Sequence, residues 1–376
     1  MAASAPHTHG RATGGGFAAN FAARVAALRD PPSCASARLL ISTPSRADGF
    51  ASALHDVGKA MVLAQGSGRS LVLTGQWRYA PCAAKVWDCV FIPPSRCNLS
   101  HAEEAPPALA QPAAPALFWD DTPAGSSPGF FQLLMGSQRV VHEDALYDDR
   151  NETRRVREVI NAVLTSSALT AEFLEAGGNF WVRSQAQLHL WRLTPERASA
   201  LARNPVYDDF LRVQAAGHKV IGLHMRLTDN VGTIRRDFKF NATRRFAVTE
   251  FLAMARRIRA RHPSATALFV ATDSLEAVEA VSSATAADGW RLLMQQGAKV
   301  ERASGHEWLW FKRPTAGTAV DGVVADLECL RRADFLVGSM ISNVYRLAAE
   351  LNFASRPARP AHQTIYSMDV PWYQHP

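Results

Sequence analysis

Polar side chains that could form a ligand site follow three separate apolar runs of the chain. They are His224, Arg226, Asp229, Asp273, Ser342 and Asn343. Guanidinium, hydroxyl and amide groups can stabilise a phosphate without a metal ion. Each residue also has a structural alternative, since a single histidine after a strand usually packs, and Asp273 or Ser342 could simply cap a helix. Their recurrence after similar runs favours one shared ligand site.

The elements that carry these side chains alternate between strand-like and helical patterns from residue 219 onward. Strands are expected over 220–225, 268–271, 291–294 and 335–338, and helices over 244–261, 274–284, 320–332 and 342–351. This alternation predicts an α/β fold with a parallel sheet covered by helices on both faces. Such sheets bind ligands at the carboxyl ends of their strands, beside helix N-termini, and the polar side chains stand there.

The chain divides into three parts. We expect a flexible leader or stem remnant over 1–30 with a short helix at 18–28, an N-terminal α/β lobe over 31–215, and a Rossmann-like lobe over 216–376. The first lobe is predicted to contain strands at 38–42 and 70–74, helices at 51–65, 151–176 and 180–202, and a loop or insertion at 105–129.

Composition excludes several classes of protein. The 376 residues are 47% hydrophobic and 20% charged, which rules out a disordered, collagen-like or coiled-coil chain. A net charge of +7 suits an anionic ligand such as a nucleotide, a phosphate or nucleic acid, and solvated arginines explain it equally well. No apolar stretch approaches the roughly 18 residues of a membrane helix, and no signal-peptide core precedes residue 30.

Several motifs of other enzyme classes are missing. No G-x-G-x-x-G follows a strand, and neither a Walker A loop nor a G-x-S-x-G elbow occurs, which argues against dinucleotide enzymes, P-loop proteins and α/β-hydrolases. No D-x-D pair or C-x-x-C spacing offers a divalent-metal site. No nucleic-acid-binding motif is found, so nucleic acid is the least favoured ligand.

One stretch of the chain is similar to the signature of a known enzyme family. Residues 224–233, HMRLTDNVGT, resemble the HVRRTDKVGT motif of the α-1,6-fucosyltransferases, which add core fucose to N-glycans. Residues 325–346 carry the most extensive similarity, with ADFLVGSMISNVYR against the family's ADFLVCTFSSQVCR. Further similar stretches lie at 49–55, 75–80, 179–185 and 271–273, so that the resemblance covers about residues 30–370 in patches.

The resemblance implies a GT-B-like enzyme of two lobes, with GDP-fucose bound in the C-terminal Rossmann-like lobe. It implies inverting transfer of fucose to a glycan or glycoprotein, α-1,6-linked to the core GlcNAc of an N-glycan, without metal or cofactor. Arg226 would contact the β-phosphate and take part in catalysis. Residues matching the family's donor site are His224, Arg226, Asp229, Tyr79, Gly49, Phe50, Asp273, Asp326, Ser342 and Asn343.

Three positions depart from the family motif. Leu227 and Asn230 replace two cations beside the phosphates, and Ile234 stands where the family has its presumed general base. Isoleucine cannot accept a proton, so Asp237, three residues later, is the candidate catalytic base. The alternative interpretations are a catalytically weak nucleotide-sugar-binding homologue and a fucosyltransferase with another acceptor.

The cysteines and the compartment are also interpreted through the resemblance. Cys34 and Cys97 match two family cysteines that pair with each other, whereas Cys82 and Cys89 have no counterpart and could close a small extra loop. The family implies a Golgi location, with membrane association only through an anchor that this chain lacks. The glycosylation sequons at 98–100, 151–153 and 241–243 are a weak secretory signal.

Overall fold

The computed structural model describes ten segments of the chain. They are residues 22–23, 25–44, 49–66, 68–77, 79–100, 140–142, 178–227, 246–295, 316–356 and 361–369. The helix predicted over 151–176 and the insertion predicted over 105–129 lie outside these residues. The short leading helix occupies residues 22–23 and 25–29 of the described part.

The first sheet has three parallel strands in the order β2-β1-β3. They are β1 (Leu39–Ser42), β2 (Ser70–Leu73) and β3 (Val140–His142). Helix α1 (Phe50–Gly66) connects β1 to β2, so the predicted strand–helix–strand unit is confirmed. Strand β3 was not predicted, because its three residues are too few to show a pattern.

The second sheet has five parallel strands in the order β6-β5-β4-β7-β8. They are β4 (Lys219–Met225), β5 (Ala265–Thr272), β6 (Arg291–Met294), β7 (Phe335–Gly338) and β8 (Ile365–Ser367). The sheet confirms the predicted α/β fold with a parallel sheet in the C-terminal half. Strand β8 was missed because its short sequence, IYS, lies among polar residues.

Seven helices follow α1 in the described part of the chain. They are α2 (Gly178–Leu190), α3 (Pro195–Ala202), α4 (Pro205–Ala215), α5 (Val248–Arg261), α6 (Leu275–Asp288), α7 (Ala316–Arg332) and α8 (Asn343–Ala354). A four-residue turn of helix, Ala361–Thr364, then leads into β8.

The elements of the second sheet are buried in the way that a parallel sheet covered by helices requires. Strand β4 is buried along nearly its whole length, as expected of a parallel strand covered on both faces. Helix α5 buries Phe251, Leu252 and Ile258 and exposes Arg256 and Arg257, as expected of an amphipathic helix that covers a sheet. At Gly222 in β4, an added Cβ would meet the side chains of Leu330 in α7, Ala333 and Leu336 in β7 at about 3 Å, so the glycine permits close packing around this strand.

The single helix predicted over 180–202 is wrong, because two helices occupy this region. Helix α2 ends at Leu190, and α3 begins with Pro195 behind the N-cap Thr194, whose side chain accepts from the backbone N–H of Arg197. The prediction also missed α4, which begins after the N-cap Asn204 and packs against β4 and β6.

Helices α1, α2, α7 and α8 join the two sheets into one structure. Helix α8 packs against both α1 and α2, and α7 packs against α8. The buried carboxylate of Glu328 in α7 accepts from the indole Nε1 of Trp191 at 2.7 Å and from the guanidinium of Arg331 at 2.8 Å. On the other side, the Gln187 amide donates to the carbonyl of Leu54 in α1 at 3.1 Å.

The disulfide expected between Cys34 and Cys97 is confirmed, with Cα atoms 5.4 Å apart. Cys82 pairs with Cys89 and closes the small extra loop. Cys329 in α7 is a buried free thiol. None of the helices described here is both long and apolar enough to cross a bilayer.

We predict that Glu328→Ala lowers the free energy of unfolding by about 3 kcal/mol, because it leaves the half-buried Arg331 cation and the Trp191 N–H without their acceptor. Glu328 side-chain exposure is 6%. Urea denaturation measures the loss, with the exposed helical Glu279→Ala as the control that should shift stability by less than about 0.5 kcal/mol. Equal small effects of the two substitutions would contradict the prediction.

Candidate functional site

The first turns of α1 and α8 lie side by side, although they are nearly three hundred residues apart in the chain. The amide of Asn343 donates a short hydrogen bond to the hydroxyl of Ser52. Further along the same two helices, His55 Nε2 lies 3.1 Å from Glu350 Oε2. Both helices therefore run in the same direction, and their N-termini, each carrying partial positive charge, meet at one place.

This arrangement brings together predicted site residues from both halves of the sequence. Gly49 precedes α1 and is partly exposed, while Ser342 is the N-cap residue of α8. The Ser342 side chain makes no capping hydrogen bond to its helix. The hypothesis that the Ser342 hydroxyl serves only to cap the helix is therefore wrong.

The carboxyl ends of β4 and β5 form the next part of the site. The backbone N–H of Leu227 donates to Asp273 Oδ1 at 2.8 Å, which fixes the direction in which the chain leaves β4, next to Arg226. Ser274, rather than Asp273, caps α6 by accepting from the N–H of Ala277 at 3.3 Å. Asp273 thus positions the phosphate-contact candidate Arg226 through the backbone that follows it.

His224 connects the end of β4 to α8. Its buried ring faces the ring of Tyr345, with centroids 6.2 Å apart. Tyr345 in turn lies over Gly338, where any Cβ would collide with the phenol ring. Burial lowers the pKa of His224 to about 4, and the positive charge of Arg226 adds to this effect. The imidazole is therefore neutral at pH 7 and can donate from one ring nitrogen.

Three buried polar atoms lie on or against the first turns of α8 without a hydrogen-bond partner among the described residues. They are His224 Nδ1, Ser342 Oγ and Arg346 Nε. Arg346 stands one turn after Ser342, and its Nη2 donates a short bond to the Asn343 side chain. Burial lowers the pKa of Arg346 while Glu350 opposes the shift, yet an arginine keeps its charge in proteins.

Sequence reasoning missed Arg346 as a site residue. Its spacing could have shown it, because Arg346 comes three residues after Asn343 and four after Ser342, and residues at these spacings lie on the same face of a helix. Asp369, after β8, was also missed. Its carboxylate accepts from the backbone N–H groups of Met340 at 2.9 Å and Ile341 at 3.1 Å, and so holds the loop that leads into Ser342.

Asp326 lies apart from this group, in the middle of α7 and beside Gln295, the residue that follows β6. Its Oδ1 is inaccessible and has no hydrogen-bond partner within the described segments. Burial raises the pKa of Asp326 to about 7, with the Gln295 side chain acting weakly in the other direction. A buried acceptor of this kind suits a ligand that presents N–H groups.

Tyr79 and Phe50 lie in the core. Tyr79 is fully buried, and its ring meets Phe50 edge to face at 5.6 Å and Trp77 at 5.8 Å. Phe50, the first residue of α1, packs on Tyr79, and this contact holds the start of the helix in the core. Asp229 and Asp237 lie outside the described residues, as does Ile234. Among the residues that are described, no group of three or more His, Cys, Asp and Glu side chains could hold a metal ion.

A family model for the N-terminal and catalytic domains of alpha-(1,6)-fucosyltransferases matches residues 11–113. This match confirms the resemblance found in the sequence. It spans Gly49, Phe50 and Tyr79 and ends well before the residues of the second sheet.

Solved fucosyltransferases are similar to this chain over most of their lengths. A NodZ alpha-1,6-fucosyltransferase soaked with GDP-fucose is 16% identical, with 84% of this chain and 92% of that chain covered and a TM-score of 0.46. NodZ from Bradyrhizobium is also 16% identical, with 83% and 92% covered and a TM-score of 0.45. POFUT1 in complex with GDP-fucose is 12% identical, with 88% and 98% covered and a TM-score of 0.44.

We predict that the imidazole of His224 titrates near pH 4 in the folded protein, against about 6.5 when unfolded. Because only the unfolded chain takes up this proton between those values, the histidine lowers the free energy of unfolding as pH falls from 6.5 to 4, by about 3 kcal/mol. His224→Gln should remove that part of the pH dependence.

Histidine NMR resonances measure the pKa, and denaturation at several pH values measures the stability. The comparison with the parent is necessary because Asp326, with its raised pKa, acts in the opposite direction over the same range. A His224 resonance that titrates near 6.5 would contradict the prediction.

Proposed function

We propose that this chain transfers fucose from GDP-fucose to a glycan, and that its specific product is the α-1,6 linkage to the core GlcNAc of an N-glycan. The observation that carries the proposal is the meeting of two helix N-termini, α1 and α8, beside three buried polar atoms without partners. A diphosphate has the hydrogen-bond acceptors that the helix N-termini and these buried atoms require.

The residues around α8 match the needs of a leaving diphosphate. Ser342 can donate its hydroxyl proton, the neutral His224 can donate a ring N–H, and Arg226 and Arg346 are fixed positive charges. As the bond from fucose to the β-phosphate breaks, negative charge grows on the diphosphate and these contacts strengthen. No metal ion is needed for this charge, and we propose metal-independent catalysis.

We propose that Asp326 receives the guanine base. A carboxylate only accepts hydrogen bonds, and one edge of guanine presents two adjacent N–H groups. The ionised form is required for this contact. Since the pKa of Asp326 is about 7 before the ligand binds, affinity for GDP should fall as pH drops below neutrality.

The acceptor side of the reaction is the place where this chain departs from its family. In an inverting transfer, the acceptor hydroxyl attacks the fucose C1 from the face opposite the diphosphate, and a base takes the hydroxyl proton. Ile234 cannot be that base, so we assign the role to Asp237. The same substitution favours the second candidate function, a nucleotide-sugar-binding protein that transfers slowly or to another acceptor.

We further propose a Golgi or secretory location. The two disulfides, Cys34–Cys97 and Cys82–Cys89, support it because such bonds persist in oxidising compartments.

Two measurements test the proposal. Calorimetric titration with GDP, with and without EDTA, asks whether the donor site exists and whether it needs a metal. Product analysis with GDP-fucose and a biantennary N-glycan asks whether fucose is transferred and to which hydroxyl. Binding without transfer would select the binding-protein alternative, and no binding at millimolar GDP would remove both.

We predict that Arg226→Lys reduces fucose transfer by about 10²–10³-fold, because a lysine cannot present two donors in one plane to two phosphate oxygens. Steady-state rates with GDP-fucose measure the loss. The exposed Arg257→Lys on α5 is the matched control and should transfer like the parent. Unchanged transfer by Arg226→Lys would remove the phosphate role.

We predict that Asp237→Asn depresses turnover and leaves GDP affinity nearly unchanged, because a base acts on the acceptor and not on the nucleotide. Ile234→Glu should raise turnover if position 234 faces the acceptor. Rates and calorimetry on the same preparations separate the two effects. If Asp237→Asn turns over as fast as the parent, Asp237 is not the base. That result would favour the alternative of a nucleotide-sugar-binding protein that transfers slowly.

A further inference from the structure

We propose that Asn98 is a site of N-linked glycosylation. The sequence Asn98-Leu99-Ser100 has the acceptor pattern, in which the middle residue is not proline. The same pattern occurs twice more in the chain, at 151–153 and 241–243, outside the described residues. For the first sequon, the structure shows the exposure and the hydrogen bonding of its residues, which the sequence does not give. The inference is independent of the proposed enzymatic activity.

All three residues of the sequon are exposed. The hydroxyl of Ser100 donates to Asn98 Oδ1 at 2.6 Å, so the amide and the hydroxyl that the reaction requires lie together at the surface. Leu99 is 39% exposed and is one of three exposed large apolar residues in the described segments. A glycan on Asn98 would cover this apolar surface.

The chain before the sequon is held firmly. Cys97 is buried by its bond to Cys34 and packs with Leu39 and Ile41 of β1. The backbone N–H of Arg96 donates to the carbonyl of Arg29 at 3.0 Å. The exposed sequon therefore directly follows a buried, disulfide-bonded residue, and a sugar attached to Asn98 would not disturb the core.

The sequon also lies away from the candidate site. Arg96 is bonded to residues 29 and 31, and the hydroxyl of Ser70, the first residue of β2, donates to the carbonyl of Leu28, so this segment lies near the amino end of the first sheet. The candidate site lies by the start of α1, which follows the carboxyl end of that sheet. A bulky glycan on Asn98 is thus compatible with ligand binding at the candidate site.

The modification balances with one co-reactant, an oligosaccharide carried on a polyprenyl pyrophosphate. The amide nitrogen of Asn98 forms a bond to the anomeric carbon of the first sugar, and the bond from that carbon to the pyrophosphate oxygen breaks. The lipid pyrophosphate leaves with the electron pair, and the amide loses one proton to a base of the transferring enzyme. No oxidant or reductant takes part.

The test uses the full chain with Asn151→Gln and Asn241→Gln, so that one sequon is left, directed into the secretory pathway of eukaryotic cells by a cleavable signal. We expect most of the lumenal protein to carry one glycan, seen as a shift that a peptide N-glycosidase removes. Asn98→Gln and Ser100→Ala should abolish the shift, and Ser100→Thr, which keeps the hydroxyl, should retain it.

Intact-mass analysis and a non-reducing peptide map accompany the gel. The map reports whether Cys34 and Cys97 are joined, and so whether the chain reached an oxidising lumen and folded. Lumenal protein with this disulfide and an unmodified Asn98 would overturn the proposal. A shift that persists in Ser100→Ala would do so as well, because it would place the glycan elsewhere.

Discussion

The contact between the first turns of α1 and α8 is the constraint on which the candidate site depends. Asn343 reaches Ser52 there, and His55, about one turn further along α1, meets Glu350, about two turns further along α8. Because these bonds join the helix that follows β1 to the helix that follows β7, they fix the two halves of the chain against each other. Two neighbouring helix N-termini concentrate partial positive charge, which an anion between them would offset, and the site is therefore suited to a phosphate.

The positions of charges around this contact follow from the cost of burying them. Arg346 is buried beside Glu350 and bonded to Asn343, and Glu328 is buried with three donors from Trp191 and Arg331. Buried charges are tolerated only when they are paired or hydrogen-bonded. Both groups lie where α7 and α8 meet the first half of the chain, so the same pairs that offset the desolvation cost also orient the helices of the site.

Much of the second sheet could be predicted from the sequence, since β4, β6 and β7 are apolar runs separated by amphipathic helices. The first turns of α8 could be located because β7 ends sharply at Gly338. Short elements were missed, because β3 and β8 have three residues each and show no period. The contact of Asn343 with Ser52 could not be predicted, because the local sequence of a helix does not show which distant helix packs beside it.

Burial separates the predicted site residues in a way that residue type alone could not. Tyr79 and His224 were both predicted as site residues, yet Tyr79 is fully buried with its ring against Phe50, while His224 keeps a ring nitrogen without a partner in the described part of the chain. An aromatic ring gains by complete enclosure, whereas an imidazole loses unless its nitrogens are satisfied. The same cost applies to Ser342 and Arg346. Their unsatisfied atoms lower the stability of the chain alone, and a ligand that bonds to them recovers that free energy on binding, so the candidate site is built at the expense of folding stability.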